Sequence, residues 1–194
     1  AQDGRPPRDS GMGRRLRPDN ASMARILVVI WLIWPLAGCS PALNWREVRF
    51  DEAGIGQLFP CKPVRQQRNV ELAGGRQLLV LQVCDAAGAT WALSHVQATD
   101  PGRVPVLLEA LAAAAQANVG APPGGPTPQA VPGAAAHGAS GRYRFAGQAP
   151  DGRSVQVAML LYARGPVVVQ LIVLGSSLSD DAVETFFSDA RADR

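Results

Sequence analysis

Ile26 to Leu36 is a run of eleven apolar residues without a charge. Such a run avoids water, yet it is too short to span a bilayer as a helix, which takes ~20 residues. Met23-Ala24-Arg25 sets a positive charge just ahead of it. Pro35 breaks it before the small residues Ala37 and Gly38, and Cys39 follows. A positive start, an apolar stretch and small residues at its end are the order of an export signal. A plain secretory signal, or a buried apolar helix with a chance cysteine, is the simpler alternative.

Leu36-Ala37-Gly38-Cys39 resembles the lipobox of bacterial lipoproteins. The resemblance implies that Cys39 is diacylated on sulfur, becomes the first residue after cleavage and is then acylated on its nitrogen. One acyl chain binds membranes marginally, at ~0.8 kcal/mol per buried CH₂, so two or three make a durable anchor. Ser40 follows the cysteine where, in lipoproteins, an Asp favours the inner membrane. The resemblance therefore implies the outer membrane, facing the periplasm. Residues 23–38 read as the lipoprotein signal peptide and 39–44 as a lipidated tether. Residues 1–22, polar and rich in Arg, Gly and Pro, read as a disordered or non-coding extension. Met12 and Met23 are both candidate starts. Arg14-Arg15 lacks the rest of a twin-arginine signal, and the Asn20-Ala21-Ser22 sequon falls in the part to be removed.

The charge balance changes once that part is set aside. Residues 1–38 hold six Arg and three Asp, so the net charge of +3 resides there, and thirteen basic residues balance thirteen acidic ones in the remainder. The basic footprint of a nucleic-acid binder is missing, as is a polybasic membrane patch. With Cys39 spent on lipid, Cys61 and Cys84 are left. An even pair in an oxidising compartment reads as a disulfide, which contributes roughly 3 kcal/mol by closing the loop between them. Two buried free thiols, or a metal or redox site drawing on His95 or His137, are the alternatives.

Residues 45–194 are long enough for one domain with its own core. Trp45 to Phe50 is partly strand-like. Gly56 to Pro63 is an extended piece that Pro60 and Pro63 keep out of a central ladder. Arg65–Leu72 and Arg76–Cys84 flank Gly74-Gly75, a hairpin signal, and Asp85 to Gly88 turns the chain into Ala89–Val96. Leu78 to Leu81 reads as buried on both faces. Asp100 caps a helix whose apolar residues Val104, Leu107, Leu108, Leu111 and Ala115 recur at helical spacing, and Gly120 closes it. Its other face lacks the Lys and Arg of a membrane-surface helix, so it is expected to pack on the sheet. Ala121 to Ser140 is rich in Pro, Gly and Ala and carries no charge; its composition predicts a mobile loop within one domain, or a divide between two small ones. Strands return at Arg142–Gly147, Ser154–Tyr162 and Val167–Leu174, the last of these central and covered on both faces. Ser179 caps a final helix with Asp180 and Asp181 in its first turn and an apolar stripe of Val183, Phe186, Phe187 and Ala190. The expected fold is α+β: a single antiparallel, mostly meander sheet with two helices packed on it.

Chemistry is harder to find. A catalytic nucleophile needs a base beside it and a group to orient that base. His95 alternates on its strand with Trp91 and Leu93, which makes it a packed histidine, while Ser94 points to the other face. His137 lies in the Pro/Gly/Ala stretch. Asp180 and Asp181 are helix-start charges. The double glycines lack the Lys of a phosphate loop, and no metal or cofactor spacing occurs. Trp45 and Trp91 suit either a pocket floor or the core.

Phe59-Pro60-Cys61-Lys62-Pro63 near the start, and Glu184-Thr185-Phe186-Phe187-Ser188-Asp189 in the last helix, give a layout similar to small exported lipoproteins of the PsbP-like α/β/α fold. That resemblance implies a curved antiparallel sheet with helices on its faces and no activity, since a fold does not fix a function. The expected role is that of a membrane-anchored, non-enzymatic accessory or binding module of the envelope, with a protein partner there. An envelope hydrolase acting on cell-wall or lipid substrates, or a structural subunit of an envelope complex, is the alternative.

Overall fold

The structure, a computed structural model, describes residues 42–190. Eight strands and two helices of eight or more residues are found in this region: β1 (Arg46–Phe50), β2 (Ile55–Phe59), β3 (Val64–Leu72), β4 (Gly75–Ala86), β5 (Ala89–Gln97), α1 (Val104–Ala117), β6 (Gly141–Gln148), β7 (Ser154–Arg164), β8 (Val167–Gly175) and α2 (Asp180–Ser188). The class is α+β. The single meander sheet is corrected, however. β3 to β8 form a six-stranded antiparallel sheet in the order β3-β4-β5-β8-β7-β6, and β1 and β2 pair apart from it as a two-stranded sheet. Pro60 and Pro63 explain the separation, because neither can donate to a ladder between β2 and β3.

The main sheet is two meanders laid side by side. After β5 the chain crosses through α1 to the far edge and winds back, so that β8 pairs with β5 from Ala89↔Gly175 to Gln97↔Val167. β8 is thus central, as its apolar run, interrupted only at Gln170, leads one to expect. Tight turns hold the hairpins. Between β3 and β4 the turn falls on Ala73-Gly74, with φ of 55° and 72°. That is one residue earlier than the double glycine, and it places an alanine in the left-handed region.

Each face has its own cover. On one, α1 lays Val104, Leu107, Leu108 and Leu111 against Val96, Met159, Leu161 and Val168. On the other, Phe50 and Phe59 of the small sheet and Phe186 and Phe187 of α2 cover Trp91, Leu93, Leu160 and Leu171. Alternation along β5, β7 and β8 supplies both sets, since neighbouring residues point to opposite faces. β4 departs from the expectation of burial on both sides: Leu78 is 51 % exposed, near the uncovered rim beside the edge strand. Ser179 caps α2 as its sequence predicts, whereas Asp100 caps the short 3₁₀ turn Pro101–Arg103 and α1 itself starts after Arg103 with no side-chain cap. The Asp100 carboxylate accepts from Gly102 N at 3.1 Å in the 3₁₀ turn leading into α1, and Ser179 Oγ accepts from Ala182 N at 3.4 Å.

Candidate functional site

Cys39, the expected lipid attachment point, and the whole signal stretch lie outside the described residues. Cys61 and Cys84 are bonded to each other, with their Cα atoms 6.0 Å apart and a separation of 23 positions in sequence. The bond joins the segment just after β2 to β4, so it staples the small sheet onto the large one. Polar contacts secure the same hairpin. Gln57 Nε2 donates to the carbonyl of Phe186 at 2.6 Å, Leu58 N donates to Asp189 at 2.8 Å, and Arg164 donates to the carbonyl of Gly54.

His95 is 5 % exposed and lies edge-on to Phe50, the ring centres 6.1 Å apart. Its Nδ1 has no hydrogen-bond partner among the described residues. Ser94, on the opposite face, donates to Gln170 at 3.1 Å, so the two form no nucleophile and base pair. Burial pushes the His95 pKa below its ordinary value of 6.5; Glu52 nearby opposes that shift and Arg65 adds to it. The folded state therefore takes up the proton less readily than the unfolded chain. His95 thus contributes stability that is complete above about pH 6.5 and is lost as pH falls through the folded-state value. Melting temperatures measured between pH 7.5 and 5 should fall more steeply for the natural chain than for His95→Leu. Parallel curves would contradict the burial of a neutral imidazole.

The remaining sequence candidates have structural roles. Asp180 pairs with Arg144 at 2.7 Å across to β6. Trp45 and Trp91 meet edge-to-face at 6.0 Å, and Trp91 donates its indole N–H to the carbonyl of Ala86. Among the described residues no three His, Cys, Asp or Glu side chains gather as a metal site. No described helix is long and apolar enough to cross a membrane.

The feature that sequence reasoning missed lies under the Pro/Gly/Ala stretch, whose composition predicts mobility. The stretch runs along the domain, bridged by Thr127↔Arg142 and Ala135↔Ala163 and pinned by the buried Val131. Gly141 has φ of 137°, and a Cβ there would stand 2.5 Å from the Thr127 carbonyl, so only glycine permits the close approach. Arg142 clamps the rest. It donates to Gln129 of the stretch, makes a two-pronged pair with Glu184 of α2, and stacks 5.3 Å above the Phe187 ring. A cavity of about 530 Å³ remains beneath, lined in part by Gln129, His137, Ser140 and Tyr162. A second cleft, of about 340 Å³, lies between α1 and the sheet and has Ser94 and Gln170 in its lining. The clue available in sequence was Val131, the one large aliphatic residue in an otherwise small and polar run.

No family model, curated protein or solved structure matches the chain.

Proposed function

We propose that this chain is a lipid-anchored module of the cell envelope, held through Cys39 at the outer membrane and facing the periplasm. Its domain acts as an accessory or binding part, with a protein partner there, rather than as an enzyme. The observation that carries this reading is the use of the cysteines. Cys61 and Cys84 are bonded to each other, a pairing that persists outside the reducing cytosol. The third cysteine closes the Leu36-Ala37-Gly38-Cys39 run. The helix on each face of the sheet is also compatible with the PsbP-like resemblance, which adds an architecture and no activity. The hydrolase alternative lacks support at His95, which is packed against Phe50 and has no nucleophile beside it. Among the described residues, the large apolar ones that are exposed, Val64, Leu78 and Val106, belong to three different elements, which offers little to the structural-subunit alternative.

Cells fed labelled palmitate provide the test. The natural chain should carry label and sediment with membranes, whereas Cys39→Ser should lose the label. Label persisting in the variant would remove the anchor from the proposal.

A further inference from the structure

The two edges of the main sheet differ in cover. Along β6 the chain lays its own backbone: Thr127 and Arg142 exchange N–H to carbonyl bonds at 2.7 and 2.9 Å, and Gln148 N donates to the Val119 carbonyl at 2.8 Å. β3, at the other edge, pairs with β4 alone, through nine consecutive residue pairs from Val64↔Val83 to Leu72↔Gly75. Among the described residues no further backbone group bonds to it. The small sheet reaches its start, where Glu52 pairs with Arg65 at 2.8 Å. From Gln66 to Asn69 every residue is exposed. Alternate N–H and C=O groups of an edge strand point outward, so a regular, uncovered edge is a template for one more strand.

The side chains along this edge select the strand. Arg68 and Val70 share one face, and both line the cleft of about 340 Å³ between α1 and the sheet, with Leu79, Leu81 and Leu111. Arg68 is exposed and has no ion pair among the described residues. On an added strand, the residue directly opposite Arg68 is best a carboxylate, and the one opposite Val70 an apolar side chain at the mouth of the cleft. A second copy of the chain, joined β3 to β3, cannot supply that carboxylate. Glu71 is the only acidic residue of β3 and lies on the opposite face from Arg68. The two-fold register that sets Glu71 against Arg65 also sets Arg68 against Arg68, and like charges directly opposite are destabilising.

We infer that β3 accepts an extended segment of a partner protein as a seventh strand of the sheet, with a carboxylate opposite Arg68 and an apolar side chain opposite Val70. The inference rests on reading the domain as a module with a protein partner, and adds to it the surface and the form of the partner.

The probe is a fluorescein-tagged peptide, Thr-Val-Thr-Leu-Thr-Glu-Thr-Val-Thr, whose apolar residues and glutamate share one face when extended. It is titrated onto the full chain held in lipid nanodiscs. Anisotropy reports binding, and amide hydrogen exchange read by mass spectrometry reports where. Binding should be saturable, and should slow exchange in β3 while leaving β6 as it was. The same peptide with Lys in place of Glu should bind about fivefold more weakly, and Arg68→Glu should reverse that order. Arg68 is exposed, so the variant keeps its fold. A peptide with every backbone nitrogen methylated should not bind, since it cannot donate to the β3 carbonyls. Five results would each overturn the inference: no saturable binding, unchanged exchange in β3, equal affinity for the two charged peptides, an order that Arg68→Glu does not reverse, or undiminished binding of the methylated peptide. A chain that dimerises without peptide and slows exchange in β3 would give the edge to a second copy, and would overturn it as well. None of these readouts depends on Cys39, so a failed edge and a failed anchor are told apart.

Discussion

Phe186→Ala should lower the free energy of unfolding by about 3–5 kcal/mol. Phe186 is fully buried in α2 and meets three other rings: Trp91 at 5.3 Å and Phe59 at 5.4 Å, both edge-on, and Phe187 at 5.9 Å. Its carbonyl also accepts the Gln57 amide. One side chain therefore joins the small sheet, the large sheet and the last helix. Truncating it leaves a cavity where three elements meet and where the backbone is held by the same contacts, so collapse cannot fill it. Denaturant titration should show a lower midpoint with an unchanged slope. Val106→Ala, at a half-exposed position on α1, should stay within about 0.5 kcal/mol. A loss below about 1 kcal/mol for Phe186→Ala would mean that α2 does not anchor this face.

Removing the disulfide should be nearly as costly. The chain-entropy estimate for a loop of this length is about 3 kcal/mol, and Cys61→Ala/Cys84→Ala should lose that much in the same titration. Without the bond the small sheet keeps its contacts through Gln57, Leu58 and Arg164. The loss should therefore appear as global destabilisation with the sheet's far face, under α1, unaltered in fold. Alkylation of the natural protein without reductant should label neither Cys61 nor Cys84. Quantitative labelling of both, or an unshifted midpoint in the double variant, would contradict the staple.

Local chemistry made most of the elements legible. Gly165 before Pro166, Gly152 after Asp151 and the Ala-Gly turns all sit where positive φ is needed, and glycine reports that need directly. Val167 to Leu174 announced a central strand because both its faces are apolar. The arrangement of the elements was less visible. Whether β6 follows α1 to the near side or the far edge of the sheet is settled by where α1 crosses, which no local residue encodes. The separateness of β1 and β2 was half visible, in Pro60 and Pro63; that they cover the sheet depended on Phe50 and Phe59 finding Phe186. The cavity under residues 126–140 was the least legible part, because it exists only once the strands are paired. Leu78 shows the converse limit. It sits in an apolar run that reads as core, yet it falls beyond the cover of the neighbouring layer.

Mass spectrometry of the processed amino terminus, on protein taken from the membranes of the cell that makes it, bears most directly on the placement of this domain. A terminal peptide that begins at Cys39 and carries a diacylglyceryl thioether and an amide-linked acyl chain is the predicted result. An unmodified peptide that runs uncut from Met23 through Cys39 into Trp45 would contradict it.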